Sequence, residues 1–136
     1  MTYILDTNAV SALMKGEDAV VARLASVERG DIGIPQPVLA EISYAIERLP
    51  RSKRRVSLQE RFDLICSEIG RAEWTDAVSQ AFGHIKAVLE RHGTRIEDFD
   101  AAIAAHALAL EATLVTANRD HMMRVPGLRV EDWARP

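Results

Sequence analysis

Short apolar runs alternate with segments of helical period along almost the whole chain, and that alternation leaves few folds open. The runs are Tyr3-Ile4-Leu5, Asp31 to Ile34 (halted by Pro35 and Pro37), Ile69 to Trp74, Ala112 to Thr116, and Leu128-Arg129-Val130 after a turn at Pro126-Gly127. Between them the spacing predicts helices. One covers Thr7 to Met14, with Thr7 a candidate cap, and one Asp18 to about Glu28, with Val20, Val21, Leu24 and Val27 inside. A third follows Pro37, a fourth runs from the basic stretch 51–55 to about Cys66, a fifth covers Asp76 to about Arg91 and ends near Gly93, and a sixth covers 99–111. Strands alternating with helices in this way predict an α/β class, a three-layer α/β/α domain with a mainly parallel central sheet. Such sheets bind ligands beyond the carboxyl ends of their strands.

Three acids stand where the local pattern asks for other residues. Asp6 closes the first apolar run, at the carboxyl end of a first strand. Glu41 lies inside the stripe Val38, Ile42, Ala45, Ile46 and Leu49, and Asp100 lies with Ile103, Ala104 and Ala107. Spacings of three and four put each of these two acids on the apolar face of its helix. Carboxylates turned inward from three separate elements repel one another and resist desolvation, and a cation between them relieves both. Oxygen-only ligation suits Mg²⁺ or Mn²⁺ rather than zinc.

Composition narrows the remaining classes. The 136 residues are one domain's worth, so 1–136 is expected to pack as a single unit. With 48% hydrophobic and 27% charged residues, a folded soluble protein is expected. No stretch approaches the roughly 20 apolar residues of a membrane span. The start passes directly into a strand without a charged and then apolar leader, which makes the cytoplasm the expected location. Cys66 is alone, which excludes an internal disulfide and any multi-cysteine zinc site and predicts a buried, inert thiol. The net charge of −3 argues against a nucleic-acid coating protein, although acids gathered at a metal site can hide a basic surface elsewhere. Arg51-Ser52-Lys53-Arg54-Arg55 is the one dense basic run and suits either a solvated helix face or an anionic partner. His84, His92, His106 and His121 show no ligand spacing, and His106 reads as structural. Trp74 and Trp133 are isolated, too few aromatics for a base-stacking platform.

Four motifs occur in one order: Tyr3-Ile4-Leu5-Asp6-Thr7-Asn8, Pro37-Val38-Leu39-Ala40-Glu41-Ile42, Asp98-Phe99-Asp100-Ala101-Ala102-Ile103-Ala104-Ala105-His106-Ala107 and Leu114-Val115-Thr116-Ala117-Asn118. Together they resemble a PIN domain, and more narrowly the VapC toxins of bacterial toxin–antitoxin pairs. The ending Arg124 to Trp133 is also similar to VapC tails. The resemblance implies a Mg²⁺-dependent endoribonuclease, with Mn²⁺ a possible substitute, held silent by a VapB-type antitoxin. The family's first three acids carry over onto Asp6, Glu41 and Asp100 as catalytic metal ligands. Its fourth position, often acidic, is Asn118, with Asp120 a rival two residues on. Asp98 matches an additional acid of many relatives and suits a ligand, a water-holding group or a helix cap. The resemblance further implies a homodimer, transfer RNA or ribosomal RNA as substrate, no membrane, and contact with DNA only through the antitoxin.

Other classes also begin with an Asp after a first strand. Haloacid-dehalogenase-type phosphohydrolases use Asp-x-Asp, and the second acid is here Asn8, which cannot serve as acid/base at neutral pH. Response-regulator receivers need an acceptor Asp on a later strand, whereas Ile32-Gly33-Ile34 runs into Pro35. A catalytically inactive PIN-like binding module is the alternative from a different class; the complete set Asp6, Glu41 and Asp100 argues against it.

Overall fold

The computed structural model describes residues 1–135. Strands β1 (Tyr3–Leu5), β2 (Ile32–Pro35), β3 (Gly70–Ala72), β4 (Thr113–Val115) and β5 (Arg129–Glu131) form one sheet in the order β3-β2-β1-β4-β5. Every pairing is parallel, with Ile4 registered between Gly33 and Leu114. Ile4, Leu5, Ile34 and Leu114 are fully buried. Helices cover both faces, which is why the central strands read as unbroken apolar runs rather than as alternation.

The helices are α1 (Thr7–Lys15), α2 (Asp18–Ala25), α3 (Gln36–Glu47), α4 (Lys53–Glu68), α5 (Asp76–Arg91), α6 (Asp98–Ala109) and α7 (Arg119–Met122). Chain order leaves β1 in two directions, to β2 and β3 on one side and to β4 and β5 on the other. That reversal opens a crevice at the carboxyl ends of β1 and β4.

Several local expectations are corrected. Thr7 is the first residue of α1 and not its cap; Asp6 caps, its Oδ1 accepting the Ala9 N–H at 2.8 Å. An acid is the better acceptor at a helix start, where free N–H groups and the macrodipole both favour negative charge. Helix α2 stops at Ala25 and Arg29–Asp31 form a 3-10 turn, so Asp31 is not in β2. Val21 is 41% exposed, because two turns of helix bury only Val20 and Leu24. Ala45 also faces solvent, which narrows the stripe of α3 to Val38, Ile42 and Ile46. Pro35 ends β2 from inside and enters α3, whose Pro37 occupies the first turn, where no N–H is needed. Helix α4 runs two residues past Cys66, α6 covers 98–109, and α7 is a single turn that no sequence period could announce.

Three helices close in the same way. Glu17 and Gly16 N–H donate to Ala12 and Leu13 after α1; Thr94 and Gly93 donate to Leu89 and Glu90 after α5; Ala112 and Glu111 donate to Ala107 and Leu108 after α6. Each is a six-to-one and five-to-two pair around a left-handed residue. Gly16 and Gly93 supply that backbone at φ 70° and 68°, and Glu111 supplies it at φ 53° despite its side chain. Among the described residues no helix is long and apolar enough to cross a membrane.

Candidate active site

Leu5 pairs with Val115, so the next residues, Asp6 and Thr116, leave neighbouring strand ends together. The Asp6 N–H donates to the Val115 carbonyl at 3.1 Å and ties the two exits. Asp6 is only 4% exposed. It accepts from the Ala9 N–H at its Oδ1 and from the Thr116 hydroxyl, whose own oxygen accepts the Asn118 N–H at 2.9 Å. Burial pushes the Asp6 carboxyl up from 3.8 to about 6; the hydrogen bonds from Thr116 and Ala9 oppose this, while Asp100 and Glu41 add repulsion. Desolvation therefore outweighs two bonds that favour the charged form.

Glu41 reaches the site half-buried from α3, and the Thr7 hydroxyl donates to its Oε1 at 2.6 Å. Asp100 stands half-buried in the first turn of α6. Burial raises its carboxyl, Glu41 and then Glu97 add to the rise, and His121 opposes it. The structure thus brings together three of the acids marked by the sequence, close enough to feel one another's charge. As they stand, no three His, Cys, Asp or Glu side chains among the described residues converge to hold an ion. The two observations differ because Coulomb repulsion reaches beyond ligation distance. The oxygen-only donor set and its accumulated negative charge fit a hard divalent cation.

The other marked residues lie around this centre. Asp98 is exposed and pairs with Lys86 Nζ at 3.1 Å, on the rim of a cavity of about 510 Å³ that Asp100 and His121 also line. The Asn118 amide nitrogen sits 2.9 Å from His121 Nδ1, and Asp120 is exposed in α7. Sequence reading missed Thr116 and the Thr7–Glu41 bond, and it set His121 aside for lack of ligand spacing. Only the Thr-x-Asn step after β4 hinted at the first of these.

Residues outside the centre behave more structurally. Ser52 Oγ accepts the Arg55 N–H at 3.1 Å to cap α4, and Arg55 pairs with Glu47 at 3.0 Å, so part of the basic run serves the α3–α4 turn. Neither tryptophan is isolated. Trp133 is buried edge-on against Tyr3 with Arg23 over both rings, and Trp74 meets His106 edge-on at 5.3 Å. His106 is fully buried with its Nδ1 2.7 Å from the Ala102 carbonyl, and burial lowers its pKa. Cys66 is half-buried rather than buried; burial raises its thiol from 9.0, the direction of an inert cysteine.

Residues 3–128 match the PIN domain family. Ribonuclease VapC2 of Rickettsia felis is 33% identical over 98% of both chains, and the tRNA(fMet)-specific endonuclease VapC of Shigella flexneri is 31% identical over 98% of this chain and 99% of its own. The crystal structure of VapBC2 from Rickettsia felis, bound to a DNA fragment from its promoter, superimposes with a TM-score of 0.87 at 31% identity, covering 98% of this chain and 99% of that one. DNA-bound VapBC from Salmonella typhimurium gives 0.86 at 26% identity, covering 98% of both. The chain belongs to the PIN domain family and, within it, to the VapC group.

Proposed function

We propose that the chain is a Mg²⁺-dependent endoribonuclease toxin, with Mn²⁺ able to substitute, and that a VapB-type antitoxin silences it. The observation that carries the reading is the meeting of Asp6, Glu41 and Asp100, from three different elements, at the crevice where strand order reverses. Relatives named as ribonucleases across nearly their whole length support RNA as substrate, and the name of the Shigella flexneri protein makes transfer RNA the first to try, with ribosomal RNA second.

Asp6, Glu41 and Asp100 would hold the cation; Asp98, which lines a cavity with Asp100, and Asn118, beside His121 of that cavity, would serve a second ion or its hydration shell. A divalent cation at such a site supplies a lowered pKa for water and neutralisation of charge developing on the phosphate. The chain's own part is preorganisation. Thr116 and the start of α1 hold the Asp6 carboxylate and Thr7 holds Glu41, so what is left to a cation is to draw the acids in to ligation distance. Hydrolysis then breaks one phosphorus–oxygen bond and adds water across it. The DNA-bound VapBC complexes that share this fold support a VapB-type partner through which DNA is reached; a homodimer as the toxin's form and the cytoplasm as its setting complete the proposal.

The test is cleavage of purified transfer and ribosomal RNA by the chain freed of its antitoxin. Cutting is expected in Mg²⁺ or Mn²⁺, to stop with chelator or returned antitoxin, and to vanish in Asp6→Ala, Glu41→Ala and Asp100→Ala. A folded Glu41→Ala protein that cuts at the parental rate would remove Glu41 from the mechanism.

A further inference from the structure

The cavity beside Asp100 holds two groups that the acids do not explain. Its lining is Arg95, Ile96, Glu97, Asp98, Asp100 and His121, around a space of about 510 Å³. Arg95 is exposed, and among the described residues its guanidinium makes no ion pair or hydrogen bond; the Arg124 side chain instead holds the Arg95 carbonyl at 3.1 Å. Asp98 on the same rim is already matched by Lys86.

His121 is set with a definite polarity. The Asn118 amide nitrogen lies 2.9 Å from Nδ1, and an amide nitrogen can only donate, so Nδ1 accepts and the ring proton rests on Nε2. With Nδ1 taken by Asn118, the ring is left with its Nε2–H as the donor. The ring lines the same cavity as Asp100, at the mouth of the proposed cleavage site.

We propose that Arg95 and the Nε2–H of His121 form a phosphate-binding site for the RNA backbone, in the cavity that Asp100 also lines. This rests on the ribonuclease reading for its substrate, and on the cavity and the Asn118–His121 bond for its place. Acids alone would repel the strand they cut; a guanidinium and an N–H donor in the same cavity give a phosphate oxygen somewhere to dock and set the strand's register. Arg95 and His121 are positioning residues here, touching a phosphate rather than the reacting atoms.

The test uses the full chain freed of its antitoxin, without added Mg²⁺. Long-range imidazole proton–nitrogen correlation spectra are recorded in mildly alkaline buffer as inorganic phosphate is added. The His121 signals are expected to shift saturably while those of His84, His92 and His106 do not, and Arg95→Ala should weaken this binding about fivefold. With an uncleavable RNA strand, Arg95→Ala should flatten the dependence of log affinity on log salt by about 0.7. In cleavage, His121→Phe should raise KM about tenfold with a smaller change in kcat, and His121→Gln, which restores a donor, should recover most of the loss. Histidines that ignore phosphate or all move alike overturn the site, whether or not RNA is cut. Unchanged KM in both variants overturns its role toward substrate. Phosphate bound here by a chain that leaves every RNA intact overturns the ribonuclease reading alone.

Discussion

At the scale of single residues, Asp6 carries two tasks that pull against each other. It caps α1, and it supplies a carboxylate to a crowded acidic site. Its pKa of about 6 in the folded chain, against 3.8, means that the native state keeps a proton that the unfolded chain has already lost. Native stability therefore falls as pH rises from about 4 to about 6, by roughly 3 kcal/mol, and is flat above that. Asp6→Asn should consequently be more stable than the parent at neutral pH without metal, by up to that amount, and equal to it near pH 4. Chemical denaturation at the two pH values checks this. Adding Mg²⁺ should reverse the order, because only the carboxylate gains from the cation, and at about pH 6 the parent should release protons as it binds. Calorimetry in buffers of different ionisation heat reads that release; none at all would show that Asp6 is already ionised. Thr116→Val removes the hydroxyl that favours the charged form, so it should raise the Asp6 pKa further and increase the Mg²⁺ needed for half-maximal cleavage.

At the scale of elements, helix ends decide where the functional groups stand. The Schellman closure after α6 returns the chain directly into β4, which sets the register that places Thr116 beside Asp6. Glu111 holds its left-handed position without glycine's freedom, and Arg129 of the edge strand helps by donating to its carbonyl. Glu111→Gly should raise stability by about 0.5 kcal/mol, the relief of side-chain strain less the added freedom of the unfolded chain. Cleavage should be unchanged, since Glu111 lies at the far end of α6 from Asp100. A shift in denaturant midpoint toward lower stability would mean that the Glu111 side chain makes a contribution of its own. The N-terminal turn of α6 has the opposite logic: its free N–H groups favour Asp98 and Asp100 electrostatically, offsetting part of the repulsion of bringing Asp100 to the site.

At the scale of the whole molecule, the proposed function has an acidic cleft, in a chain of net charge −3, take up positive charge both to work and to be silenced. An antitoxin segment that placed an Arg against the acids would compete with a cation for the same carboxylates. Thermal unfolding should show a Mg²⁺-dependent rise for the free chain and none for the complex. Equal rises in both would place the antitoxin away from the cleft.

The sequence by itself determined the layers of this protein and the identity of its acids. Apolar runs of strand length, separated by segments of helical period, leave a parallel sheet covered on both faces as the way to bury both patterns. Asp6, Glu41 and Asp100 were legible because each contradicts its own pattern, and a local pattern is what a sequence displays. Strand order was not legible, since strands of three or four residues carry no record of which neighbour they pair with, and only the packed sheet put β4 beside β1. Thr7 with Glu41 spans 34 residues, and Thr116 reaches Asp6 across the sheet; neither contact has a local spacing to betray it. His121 shows the same limit from the other side. Its sequence neighbours offer no ligand pattern, yet the single turn of α7 carries it to the rim of the cavity beside Asp100, where Asn118 fixes its tautomer. Tertiary structure decided these roles because desolvation, mutual repulsion and hydrogen-bond direction depend on distance in space, which the order of residues along the chain does not contain.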